Sequence, residues 1–114
     1  MPYILNGEMV SIEGEPRLHN GTLFVPLRKV AQGLGGTADY EPSTGTAILY
    51  LNDQIATFTN GTSSVNLNGT EMALSGETFA EDGETWVPVR FFESTLGYKM
   101  NADAQNGIVE LSAS

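Results

Sequence analysis

Two arginines carry the most pointed polar chemistry in this chain, because each closes the same phrase. Val25-Pro26-Leu27-Arg28 and Val87-Pro88-Val89-Arg90 stand 62 residues apart, among only five basic residues in 114. A guanidinium is a planar fork suited to bidentate capture of a carboxylate or another anion. The same geometry serves an internal ion pair, for which Glu41 and Asp103 are the candidate partners in their own copies. Recurrence in equivalent places favours the structural role, since a bond that holds a fold is needed once per copy.

The other reactive residue types are sparse. There is no cysteine, which removes disulfides, thiolate nucleophiles and cysteine-based zinc sites. A single histidine, His19, stands in a turn-rich Asn-Gly context and cannot supply a multi-imidazole copper or zinc site. No Ser-His-Asp or Cys-His set can be assembled. No spacing among the fourteen acidic residues singles out a carboxylate pair for glycoside hydrolysis. Asp39-x-Glu41 with Gly45, and Asn101-x-Asp103 with Gly107, lack the alternating ligands and terminal glutamate of a calcium loop, and read as acidic hairpin turns. No catalytic residue, cofactor or metal ligand is therefore assigned. Trp86, Tyr40, Tyr50 and Tyr98 are the candidate stacking residues for a sugar. Trp86 occupies the place of Phe24 in the first copy, where a core residue is expected; Tyr50 and Tyr98 are the better candidates for exposure.

The net charge of −9 sets limits on partners. Binding a phosphate backbone needs clustered Lys and Arg, and the overall field here repels a polyanion. Nucleic acid is not expected as a partner, and anionic membrane surfaces are poor ones. The apolar runs are far shorter than the ~20 residues that span a bilayer, so no membrane insertion is expected. No charged and apolar leader pattern opens the chain, so a signal peptide is expected to be absent from it.

The elements that position these residues follow from the repeat. Leu5-Asn6-Gly7 matches Leu67-Asn68-Gly69, Gly35 matches Gly97, and Leu49 matches Leu111, all without a gap. Repeat 1 covers about residues 3–51 and repeat 2 about residues 65–113, within one domain over residues 1–114. Each unit opens on an Asn-Gly hairpin signal between apolar stretches. A turn and a short strand follow. Pro26 and Pro88 end that strand and open a helix, since proline fixes φ and lacks the N–H that a first turn leaves unpaired. Leu27, Val30, Ala31 and Leu34 make one apolar stripe, echoed by Val89, Phe92 and Leu96. Gly35 and Gly97 fall where a left-handed helix cap belongs. A second hairpin closes each unit, and the connector adds a strand near Ile55–Thr59. The fold class is α+β: mostly antiparallel sheet with two short helices of two to three turns, built from two tandem pseudo-symmetric repeats of hairpin, strand, helix and hairpin.

The doubled pattern of Gly-x-x-[Phe/Trp]-Val-Pro-[Leu/Val]-Arg, a short helix ending in Leu-Gly, and an acidic turn resembles the copper amine oxidase N-terminal-like domain. The resemblance covers nearly the whole chain. It implies export to the extracellular space or cell surface of Gram-positive bacteria, beside catalytic or wall-anchoring modules, and it does not imply oxidase activity. Where the family often carries a Trp-Asp pair, this chain has Tyr40-Glu41 and Ala102-Asp103. The expected function is a non-catalytic extracytoplasmic accessory module that binds or positions a wall glycan, a polysaccharide or a neighbouring protein module. The alternative is an inert spacer or assembly domain. Ligand and oligomeric state are not specified by the sequence.

Overall fold

The computed structural model describes residues 3–12 and 14–113. In chain order the elements are β1 (Tyr3–Leu5), β2 (Glu8–Val10), β3 (Arg17–His19), β4 (Thr22–Pro26), α1 (Leu27–Gly33), β5 (Thr37–Glu41), β6 (Thr46–Leu51) and β7 (Gln54–Thr59). There follow β8 (Ser64–Leu67), β9 (Thr70–Ala73), β10 (Phe79–Glu81), β11 (Glu84–Pro88), α2 (Arg90–Ser94), β12 (Lys99–Asp103) and β13 (Ile108–Ser112). The protein is mostly antiparallel β-sheet with two short helices, an α+β fold.

Local chemistry explains most of the turns. Asn6 and Gly7 both adopt positive φ, 52° and 83°, as do Asn68 and Gly69, 51° and 93°. Two consecutive left-handed residues give the twist that joins adjacent strands in a two-residue loop, and Asn-Gly pays least for it. At the far end of the chain Asp103 builds the β12–β13 turn itself. Its carboxylate accepts from the backbone N–H of Gln105 and Asn106 and, at 2.7 Å, from the Asn106 side chain. These donors, the Asn106 side chain foremost, hold the Asp103 carboxyl below the usual range.

The helix boundaries differ from one another. Pro26 is the N-cap of α1 with extended backbone (ψ 116°), and still belongs to the β4 ladder opposite Trp86. Pro88 ends β11 and Val89 becomes the N-cap of α2. At the other end of α1 the Gly36 N–H donates to Ala31 O (2.8 Å) and the Gly35 N–H to Gln32 O (3.2 Å), with Gly35 at φ 93°. That is the Schellman closure. α2 has five residues and falls short of the two to three turns expected. Thr95 and Leu96 both donate to Phe91 O, and the Tyr98 N–H reaches Phe92 O, so the last turn widens and ends early.

Three sheets result, with orders β12-β13-β1-β2, β10-β11-β4-β3 and β5-β6-β7-β8-β9. Strand β7 inserts between β6 and β8, whereas β13 meets β1 directly in a parallel pair. The β4–β11 ladder sets Val25 opposite Val87 at the centre of its sheet. One buried cluster joins the helices to all three, with Tyr3, Val25, Val30, Phe58, Val87, Phe92 and Val109 fully enclosed. Phe58 meets Phe91 edge-on at 4.8 Å. Among the described residues no helix is long and apolar enough to cross a membrane.

Candidate functional site

An open cleft of about 810 Å³ lies beside the second sheet. The segment Gly14–Leu18 forms one wall, the Glu81–Asp82 turn and β11 form the other, and Lys29 of α1 stands at the margin. Asp82 and Gly83 take positive φ, 54° and 79°, and so reverse the chain tightly between β10 and β11. That reversal sets Glu81 directly opposite Glu84.

Charges in the cleft are largely met within it. Arg17 forms an ion pair with Glu81, and its guanidinium carbon lies 4.5 Å from the centroid of the Trp86 ring. Phe79 stacks along the same indole at 6.2 Å with the planes nearly parallel. Lys29 Nζ lies 3.5 Å from Glu84 Oε2. Tyr3, fully buried, donates from its hydroxyl to Gly14 O at 2.8 Å. Burial first, then the nearby Glu15 and Glu84 carboxylates, push the Tyr3 phenol above its ordinary value. Glu84 Oε2 is buried and has only the Lys29 ammonium beside it, and the buried Trp86 Nε1 has no hydrogen-bond partner among the described residues.

The residues singled out by sequence are dispersed. Trp86 is buried at 4% exposure. Tyr98, expected at the surface, is 5% exposed. The left-handed Gly97 turns the chain so that the Tyr98 ring packs edge-on to Phe92, while its hydroxyl accepts from Asn52 Nδ2 at 2.9 Å. Tyr40 and Tyr50 are exposed, yet they do not make a common platform. Tyr40 pairs with Ala47 and Tyr50 with Thr37 on neighbouring strands, which puts the two rings on opposite sheet faces. Tyr50 instead sits beside exposed Ile55 across β6–β7. His19 is exposed at the end of β3, with its ring against Phe79 at 4.8 Å.

Arg28 and Arg90 both stand exposed on the first turns of their helices. Among the described residues neither the Glu41 nor the Asp103 pairing is formed. Arg28 has no ion pair or hydrogen bond there, and Arg90 approaches Glu93 of its own helix at 3.6 Å. Each arginine lines a smaller groove, Arg28 with Tyr40 and Ala38, Arg90 with Ala102 and Met100.

Arg17, Lys29, Glu81 and Glu84 were not legible as a site in the sequence. A signal existed in the places where the two copies disagree. At the 62-residue offset Arg17 faces Phe79, Lys29 faces Phe91, Glu84 faces Thr22 and Glu81 faces His19. The cleft's charged pairs are built from these mismatches, although Gly14 and Glu15 on its wall match Gly76 and Glu77. No curated protein matches this sequence. The family model of the copper amine oxidase N-terminal domain matches residues 4–111, spanning all three sheets and both helices, and the chain belongs to that family.

Proposed function

We propose that the chain is a non-catalytic accessory domain, exported to the cell surface, that binds or positions a wall glycan, a polysaccharide or a neighbouring protein module. The single observation that carries this reading is membership of the copper amine oxidase N-terminal domain family over nearly the whole chain; that domain is an accessory unit rather than a catalytic one. An open cleft of about 810 Å³ lined by charged side chains and the edge of Trp86 supports binding over an inert spacer. We also read the chain as one domain of two pseudo-symmetric repeats. The 62-residue register supports this, as does a β4–β11 ladder in which Phe24 faces Pro88 and Pro26 faces Trp86 about Val25 and Val87.

Sedimentation with insoluble material tests the function. The purified domain, incubated with washed Gram-positive cell walls and with insoluble polysaccharides, is expected to partition into the pellet in a saturable way. An inert spacer leaves it in the supernatant at every concentration, and that outcome would overturn the binding reading.

A further inference from the structure

We infer that Asn20, at the tip of the β3–β4 hairpin, is a modification site, where the side-chain amide converts to an acid ahead of the other asparagines of its kind. Five asparagines precede a glycine: Asn6, Asn20, Asn60, Asn68 and Asn106. In such a pair the glycine nitrogen can attack the side-chain amide carbon, because glycine has no Cβ to hinder the approach. A bond forms from that nitrogen to Cγ, the Cγ–Nδ2 bond breaks, and ammonia leaves with the proton the nitrogen gives up. Water then opens the cyclic imide at either carbonyl. One opening leaves aspartate, and the other leaves isoaspartate, whose main chain runs through the side-chain carbons. In sum, an amide and water become an acid and ammonia, with no redox change.

The fold ties down four of the five. Asn6 Oδ1 accepts from the Ala113 N–H and Asn68 Oδ1 from the Ile55 N–H, each at 2.9 Å, so neither side chain is free to swing onto its neighbour. The Gly69 nitrogen is itself engaged, donating to Asn66 Oδ1. Asn60 donates to the Tyr40 hydroxyl, while the Gly61 N–H donates to Thr78 O at 2.7 Å. Asn106 Nδ2 donates to Asp103 Oδ2 at 2.7 Å. Asn20 differs from them all. It is exposed, and among the described residues neither its side chain nor the Gly21 N–H makes a hydrogen bond.

The two products act differently on the fold. Aspartate suits the turn, since Asp82-Gly83 makes the equivalent reversal 62 residues on, at φ 54° and 79° against 53° and 80° for Asn20-Gly21. Isoaspartate lengthens the main chain inside a two-residue loop whose length fixes the strand register. Strand β3 depends on that register: it has three residues, lies at the edge of its sheet, and is held by the pairs His19–Thr22, Leu18–Leu23 and Arg17–Phe24. Arg17 at its far end covers the Trp86 ring at 4.5 Å and pairs with Glu81. Isoaspartate at residue 20 therefore loosens β3 and uncovers this wall of the cleft.

Ageing the purified chain at mildly alkaline pH, with tryptic peptide mapping by mass spectrometry over time, tests the assignment. Trypsin isolates Asn20 in the segment Leu18–Arg28, apart from the other four. That segment is expected to gain the amide-to-acid mass several-fold faster than any other, as two separable products. In concentrated urea, where the side-chain bonds are gone, its lead should shrink. Another Asn-Gly pair converting as fast in the folded protein overturns the assignment. A lead that persists undiminished in urea also overturns it, because the fold would then play no part. Trp86 is the only tryptophan, so its emission reports on the cleft wall. The isoaspartyl fraction should emit further to the red, whereas Asn20→Asp should emit as the parent does. An isoaspartyl fraction with the parent's emission overturns the coupling to the cleft.

Discussion

Replacing Arg28 or Arg90 should barely change the stability of the domain, although their recurrence suggests a fold-holding bond. The magnitude follows from their surroundings. Arg28 has no ion pair or hydrogen bond among the described residues, so its removal leaves no carboxylate stranded. Arg90 approaches Glu93 at 3.6 Å, with the two side chains 65% and 41% exposed. A solvated pair of this kind three residues apart on a helix contributes about 0.2–0.5 kcal/mol. For 114 residues the unfolding entropy is about 0.24 kcal/mol/K, so 1 kcal/mol corresponds to about 4 °C of melting temperature. Arg28→Ala and Arg90→Ala should therefore each melt within about 2 °C of the parent. A buried or bidentate bond worth about 1.5–3 kcal/mol would cost about 6–12 °C instead. Leu27→Ala is the internal control. Its side chain is 1% exposed, and a leucine truncated in a core loses about 2–5 kcal/mol, or about 8–20 °C. Thermal melts followed by circular dichroism in moderate salt make the comparison. A fall of more than about 5 °C for either arginine variant would refute the reasoning and restore the structural role of the guanidinium.

Three further outcomes are expected. Gly36→Ala should lower stability by about 1–3 kcal/mol in urea titrations, because the new Cβ would stand 2.5 Å from the Tyr50 carbonyl and 2.9 Å from Leu51 Cδ1; an unchanged midpoint would contradict that crowding. The raised Tyr3 phenol binds its proton more tightly folded than unfolded. Its contribution is complete below about pH 10 and declines as pH rises through the folded value, at up to about 1.4 kcal/mol per pH unit, so Tyr3→Phe should flatten the alkaline limb of stability against pH. Chelation with EDTA should leave the melting midpoint in place, because a resident ion would stabilise the native state by mass action, and a fall of several degrees would reveal a site.

Much of this fold was written locally. The Asn-Gly hairpins, the glycine after α1 and the strand at Gln54–Thr59 are specified by φ preferences and by apolar periodicity, which act over a few residues. The buried faces of Leu27, Val30 and Ala31 were legible for the same reason. What the chain brings together across long separations was not. Arg17 meets Glu81 across 64 residues, and the Asn6 side chain accepts from the Ala113 N–H across 107. The parallel pairing of β1 with β13, the inward turn of Tyr98 and the early end of α2 also depend on which surfaces meet. No local propensity encodes such meetings, because several partners would satisfy the same acid or the same strand edge. The cleft belongs to this second class. Its charged pairs were visible only as departures from the repeat, and packing alone brought Arg17 to Glu81 and Lys29 to Glu84 beside Trp86.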